Sequence, residues 1–359
     1  MEAWVRLSRM ELPPRRAKTL LDLFGSPEEV LGASREQLEE VPGLAASTVD
    51  RLLSPPTDAE IAKDLARAEK LSVALLPLNH PDYPRRLLEL PDPPLMLYVR
   101  GSLTEADRFS VALVGSRRAS IYGSGMAEKL ARDLAGSGFT VVSGLARGID
   151  SAAHRGALQK GRTLACLGCG VDVVYPPENR ALADRVMEHG ALISENPLGA
   201  GPDGWRFPAR NRVIAGIALG VVVVEAPKTS GALITAEFAM EQGREVMAVP
   251  GPADRPNSHG CHQLIRDGAK LVETAEDILL EFGVPLAERR AEQLPLPLDL
   301  TPEEKRVLDL LSLQQRHSDE LEYETGWSTA QISALLMMLE VKGLVKRLPG
   351  GLFLRCAYG

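Results

Sequence analysis

The sequence predicts an α/β protein built on a doubly wound, mostly parallel sheet, with a small helical domain before it and a winged helix after it. Three observations predict this. From Val111 onward, short apolar runs alternate with helical stretches, the pattern of right-handed strand–helix–strand crossovers. One run, Gly220 to Glu225, is valine-rich with no period of two, as expected of a central strand covered on both faces. Loops rich in glycine or cations follow these runs, and in such a sheet they share the edge beyond the carboxyl ends of the strands, where ligands bind.

At 359 residues the chain is too long for one ordinary core. The expected divisions are a helical domain at 1–56, the α/β domain at 57–283, a proline-punctuated linker at 284–300 and a winged helix at 301–359. A net charge of -7 argues against indiscriminate nucleic-acid binding, so any such site must be a local patch. No apolar run approaches the ~18 residues of a membrane span. The N-terminus lacks an apolar signal-peptide core, which makes the cytoplasm the expected location. The four cysteines, Cys166, Cys169, Cys261 and Cys356, are too scattered for a disulfide scaffold. Cys166 and Cys169 straddle a strand end and are expected to pack, not to bind metal or do redox chemistry. His259, Cys261 and His262 cluster but have no distant fourth ligand, which is weak zinc evidence.

Taken in order, Leu12 to Phe24 is an amphipathic helix, and Pro27 after Ser26 opens another. The turn Val41-Pro42-Gly43-Leu44 between two short helices resembles a helix-hairpin-helix unit; a plain helical adaptor, with Glu39 and Glu40 beside the turn, accounts for it as well. A helix over Asp58–Lys70 and a strand over Val73–Leu78 follow. The prolines between His80 and Pro94 forbid one long helix, and a short strand, Leu95 to Val99, is expected to flank the main sheet. Main-sheet strands are expected at Val111–Val114, Thr140–Ser143, Thr163–Leu167, Ala191–Ser194, Val221–Glu225, Glu245–Val249 and Ala269–Val272, with helices near 123–137, 150–160, 178–189, 208–219, 231–243, 259–268 and 275–282.

The loops carry the chemistry. They are Gly115-Ser116-Arg117-Arg118; Gly144-Leu145-Ala146-Arg147-Gly148; Gly168-Cys169-Gly170; Glu195-Asn196-Pro197, which leads to Arg206-Phe207-Pro208-Ala209-Arg210-Asn211-Arg212; and Pro227-Lys228-Thr229-Ser230-Gly231. Glycines admit backbone close to a phosphate, and the cations supply charge. The last loop opens a helix whose free amides suit an anion. Neither a dinucleotide fingerprint nor a Walker A lysine motif is present, so no cofactor is expected. Arg117 stands where a phosphate would lie, and Phe207 can stack on a base as single-strand binders do; Phe207 fits a core position equally well. For Arg147 and Asp150 a role only as caps of the next helix stands as the alternative. Catalytic machinery is hard to find. His154 has no visible nucleophile partner, and Glu225 with Glu237 is a carboxylate pair of the kind that attacks a glycosidic bond, although Glu237 also suits an ordinary helix ion pair.

Several of these motifs, in order, closely resemble the DNA-processing protein A (DprA/Smf) family: Val114 to Arg117, Ser143 to His154, Phe207 to Arg212, Glu225 to Gly231 and Gly260 to Ile265. The resemblance runs from about Pro77 to Phe282. It implies an extended Rossmann core that binds single-stranded DNA without sequence preference, a non-enzymatic protein that protects incoming DNA in natural transformation and loads the RecA recombinase, with single-strand-binding protein as a further candidate partner. It implies DNA contacts from Gly115, Ser116, Arg117, Gly144, Arg147, Phe207, Arg210, Asn211, Arg212, Lys228, Ser230 and Gly231. It implies a homodimer formed near Cys261, Leu264, Ile265 and Leu271, and a sterile-alpha-motif-like N-terminal module. The alternative is a nucleotide hydrolase, since phosphoribohydrolases use a similar Rossmann variant with a catalytic Glu.

At the C-terminal end, Thr301, Pro302 and Glu304 form a capping box on a helix to Leu311. Helices over Ser318–Glu324 and from Ser328 to Lys342 follow, then a hairpin around Pro349-Gly350-Gly351. The last helix carries Gln331, Glu340 and Lys342, too little to read a groove. With Lys346 and Arg347 on the wing, an accessory or protein-contact role is expected.

Overall fold

The computed structural model describes residues 1–283, 300–311, 316–342, 344–348 and 352–355. Contacts divide the chain into two compact units, Met1–Pro285 and Leu286–Gly359.

The first unit opens with helices α1 (Glu2–Arg9), α2 (Pro14–Phe24), α3 (Pro27–Gly32), α4 (Arg35–Glu39) and α5 (Ala46–Leu52), followed by α6 (Asp58–Lys70). Capping boxes at Ser34/Gln37 and Thr57/Glu60 start α4 and α6. Leu7, Leu20, Leu38 and Leu52 form a core of this helical module. The module is not detached at residue 56. Val5 shares a second core with Tyr98 and Leu192 of the sheet, Ser8 Oγ lies 3.2 Å from the Tyr98 hydroxyl, and Arg6 and Arg9 pair with Asp58 and Asp64 of α6.

The nine sheet strands are β1 (Val73–Pro77), β2 (Met96–Gly101), β3 (Ser110–Gly115), β4 (Thr140–Ser143), β5 (Thr163–Cys166), β6 (Gly190–Ser194), β7 (Gly220–Glu225), β8 (Glu245–Ala248) and β9 (Lys270–Leu271). Their order is β1-β2-β6-β5-β4-β3-β7-β8-β9. From β6 to β9 every pairing is parallel, while β2 pairs antiparallel with both β1 and β6. The intervening helices are α7 (Arg85–Leu88), α8 (Ile121–Gly136), α9 (Ile149–Ala157), α10 (Arg180–His189), α11 (Arg206–Ile217), α12 (Gly231–Glu241), α13 (His259–Arg266) and α14 (Ala275–Glu281).

Burial on both faces explains the missing alternation in β7. Val221 and Val223 enter the core under α11 and α12, whereas Val222 and Val224 enter the opposite core under α8, α9 and α14. Strand order reverses at the β3–β7 pair, where Gly115 and Glu225 are partners. The loop after β3 and the loop after β7 therefore start side by side, at the switch point where open α/β sheets leave a crevice.

The second unit holds α15 (Pro302–Leu310), α16 (Ser318–Thr325) and α17 (Thr329–Val341) over a small sheet of order β10-β12-β11, with β10 (Arg316–His317), β11 (Val345–Leu348) and β12 (Leu352–Arg355). Val307, Leu321, Ile332, Leu336 and Leu339 form its core. The winged helix is as expected, with β10 an addition that a two-residue strand does not announce in sequence. The linker at 284–299, the turn at Pro349-Gly350-Gly351, and Cys356 lie outside the described residues, as do the side chains of Lys346 and Arg347. Among the described residues, no helix is long and apolar enough to cross a membrane.

Candidate nucleic-acid interface

The loop after β3 is fixed by its backbone. Ser116 is buried; its N–H donates to Glu225 O (2.7 Å), its carbonyl accepts from Ile149 N (3.2 Å) and its Oγ accepts from Arg118 N (3.1 Å). Ser120 then caps α8, its Oγ accepting from Gly123 N at 3.0 Å. Arg117 and Arg118 project from this frame, exposed. Among the described residues neither pairs with a carboxylate. The Arg117 guanidinium lies 5.4 Å from the centre of the Phe207 ring, a cation–π distance. On the same ring, Tyr175 approaches with centroids 5.6 Å apart at 45°. Tyr175 is 40% exposed. The loop after β5 makes room for this stack, because a Cβ on Gly168 would come within 2.8 Å of Phe207 Cδ1.

The loop after β4 is shaped by close approach. Gly148 has φ +75°, and a Cβ there would overlap the Ser116 carbonyl oxygen, so only glycine fits. Gly144 faces the Arg210 guanidinium at 2.7 Å from where a Cβ would stand. Asp150 is buried and accepts from Gly144 N (3.2 Å) and Ala146 N (3.4 Å). Burial pushes the Asp150 carboxyl above its usual range, and the Arg210 charge opposes that shift. Arg147 is exposed and paired with Glu178, so its charge is already answered at the rim.

The α11 arginines are placed differently from expectation. Arg210 is 5% exposed; it donates to the carbonyl oxygens of Gly144 (2.8 Å) and Cys166 and to Asn211 Oδ1 (3.2 Å). Arg212 is 4% exposed, pairs with Glu195, donates to Asp92 O (2.7 Å) and lies 3.7 Å from the Asp92 carboxylate. Burial pushes the Glu195 carboxyl up, and Arg212 pulls it down. Neither arginine is the free surface cation that direct phosphate contact requires. The physical reason is that a guanidinium under the sheet edge must be bonded on the spot. Arg206 is likewise buried, held by Asp203 (3.1 Å), Asn196 (2.6 Å) and, from the N-terminal module, Glu11 (2.9 Å). Beside it Trp205 is 60% exposed, with the Arg206 guanidinium 4.3 Å from its ring.

The loop after β7 presents Lys228, exposed and without a carboxylate partner among the described residues. Ser230 caps α12 by accepting from Ala232 N (3.2 Å), and Gly231 O accepts from Asn211 Nδ2 (3.2 Å), which ties α11 to this loop. Glu225 is buried and Glu237 is exposed on α12.

The expected dimer residues divide. Cys261 and Leu264 point inward: Cys261 is fully buried with its Sγ 3.4 Å from Val223 O, and Leu264 joins the sheet core. Ile265 packs partly on that core, and Leu271 on the edge strand β9 is 45% exposed. The amphipathic turn of α13 explains the correction, since Cys261 and Leu264 lie three apart on its sheet-facing side. His262 Nε2 lies 2.9 Å from Gly251 O, which accounts for it without a metal. His154 is fully buried, its Nδ1 2.7 Å from Thr163 Oγ1, and burial together with the Arg210 and Arg155 charges lowers its pKa to about 3.

Neither Arg118, which shares the first loop with Arg117, nor Tyr175, five positions after Gly170, is among the expected DNA contacts.

Comparison with known proteins bears on this edge. The chain matches the family model described as DNA recombination-mediator protein A over residues 74–283. It matches DprA winged helix domain over 291–351 and SAM-like helix-hairpin-helix tandem over 14–54. Protein Smf of Synechocystis is 34% identical, with 97% of this chain and 96% of that protein covered. DNA processing protein DprA of Streptococcus pneumoniae is 43% identical over 63% of this chain and 78% of its own length. The X-ray structure of DprA from S. pneumoniae superposes with a TM-score of 0.68 at 36% identity, covering 77% of this chain and 95% of that one. A structure of Helicobacter pylori DNA processing protein A, described for its single-stranded DNA binding mode, superposes with a TM-score of 0.54 at 27% identity, covering 59% of this chain and 96% of that one.

Proposed function

Because the chain belongs to the DNA recombination-mediator protein A family, we propose that it binds single-stranded DNA along the carboxyl edge of its sheet, without reading sequence, and passes that DNA to a RecA-type recombinase in transformation or recombination. The observation that carries the proposal is the Arg117–Phe207–Tyr175 stack, with Arg118 exposed beside it and Lys228 on the neighbouring loop. A partly exposed ring between a cation and a second aromatic offers a face to a base, and unpaired cations offer charge to the backbone. Gly115, Ser116, Ser230 and Gly231 supply backbone in this reading. Gly144, Arg210, Asn211 and Arg212 hold the scaffold below it, and Arg147 gives a weaker rim contact. The hydrolase alternative needs Glu237 as its working carboxylate with Glu225 as the pair; Glu237 is exposed on α12, whereas Glu225 Oε2 already accepts from the Ser120 amide at 2.8 Å, and release of base from a mononucleotide that is lost in Glu237→Ala would favour this reading.

A mobility-shift titration on oligo-dT against duplex of equal length tests the binding. Preference for the single strand is expected, and equal or tighter duplex binding would refute it. Stimulated recombinase nucleation on DNA coated with single-strand-binding protein tests the transfer. Sedimentation of the full chain tests the homodimer, for which the exposed Leu271 and the partly buried Ile265 are the candidates retained.

A further inference from the structure

We propose that Glu225 is a positioning residue for the loop that aims Arg117, holding both ends of residues 116–120 at once. The main-chain carbonyl of Glu225 accepts from Ser116 N at 2.7 Å, and its side-chain Oε2 accepts from Ser120 N at 2.8 Å. One residue at the end of β7 thus clamps a five-residue loop that leaves β3. The middle of the loop has a separate tie, Asn257 Nδ2 to Arg118 O at 3.1 Å.

The neighbourhood is built around this carboxylate. Glu225 is 6% exposed, and no arginine, lysine or histidine pairs with it among the described residues. Its carboxylate sits at the first turn of the sixteen-residue helix α8, at the positive end of the helix dipole, with the Ser120 amide as its donor. A Cβ on Gly123 would overlap the same carboxylate, so the helix comes as close as glycine permits. Across the loop, a Cβ on Gly115 would come within 2.7 Å of the Glu225 carbonyl oxygen. A carboxylate buried without a cation is costly unless backbone donors answer it. Here the donor, the Ser120 amide, belongs to the segment that presents Arg117 to Phe207, so the interaction that stabilises the carboxylate also sets the loop.

The role rests on Arg117 contacting DNA, and the test separates the two claims. Glu225→Ala removes the side-chain half of the clamp, at Ser120, and leaves the main-chain bond to Ser116 in place; Glu225→Asp keeps a carboxylate while shortening its reach by one methylene. Each is combined with Arg117→Ala in oligo-dT titrations. Each is expected to weaken binding about fivefold alone and less than about twofold in the Arg117→Ala background, since residues acting through one another are not additive. In the Lys228→Ala background the full loss should persist. A folded variant that binds like wild type, or a loss that persists at full size without Arg117, would overturn the proposal. If Arg117→Ala by itself leaves binding unchanged, the DNA-binding reading of this edge fails instead. The clamp is then decided by amide hydrogen exchange in the free protein: faster exchange at 116–120 with 220–224 still protected upholds it, and unchanged exchange at 116–120 defeats it.

Discussion

Helix α11 and the loop after β3 both carry arginines to the same edge of the sheet, and they use them in opposite ways. Arg206, Arg210 and Arg212 lie inside the edge, each bonded to carboxylates or carbonyls. Arg117 and Arg118 stand outside it, with Arg117 on an aromatic face. A dense run of arginines in sequence therefore marks where cations are needed to hold a polar interior together, whereas the sparser loop supplies the charge that reaches solvent. What separates them is desolvation. A buried guanidinium persists only where nearby acceptors replace its water, and those same acceptors leave it little to offer a ligand.

The largest effect that can break this contrast is on stability. Arg212→Ala leaves Glu195 buried without its partner and should cost about 3–5 kcal/mol in urea unfolding at neutral pH. Because burial raises the Glu195 pKa and Arg212 opposes that rise, the cost of the substitution should shrink as pH falls and the orphaned carboxyl takes up a proton. A cost unaffected by pH would mean that the pair is not desolvated.

The same interior holds His154 neutral. Its pKa falls from 6.5 to about 3 in the folded chain, so the unfolded state binds the extra proton between those values. Stability is thus fully present above pH 6.5 and declines as pH falls through that window, by up to ~1.4 kcal/mol per pH unit from this group. His154→Asn should flatten that part of the pH profile.

At the surface the expected effects are smaller and fall on binding. Phe207→Ala should weaken oligo-dT binding by about 1–3 kcal/mol, with Phe207→Trp close to wild type. Arg117→Ala should leave the urea midpoint in place, weaken binding about fivefold at low salt and reduce the salt slope by about 0.7. If Arg117→Ala instead unfolds the protein, the division between inner and outer arginines is wrong. Arg147→Ala should change affinity less than about twofold, because Glu178 already neutralises it.

Most of the fold was legible because the strands are buried on both faces and punctuated by glycine. The valines of β7 could hardly belong to anything but a central strand, and Thr301 announced its helix through a capping box. The edge was legible as a set of loops, since strand order alone gathers them. What stayed hidden was which side chains turn inward. Arg210 and Arg117 look alike in sequence, and only packing shows that Gly144 leaves a slot for the first while the second lies over Phe207. Tyr175 was hidden for the same reason, as its partner lies thirty-two positions on in the chain.

The contact between Glu11 and Arg206 joins the amino-terminal helices to the root of α11. Deleting those helices, as in a trimmed version beginning after residue 56, would take an anion away from the buried cation immediately before Phe207. A weakened grip on DNA in such a shortened protein would then reflect a loosened aromatic platform as well as any contact the helices make themselves, and restoring a carboxylate near Arg206 is the control that tells these apart.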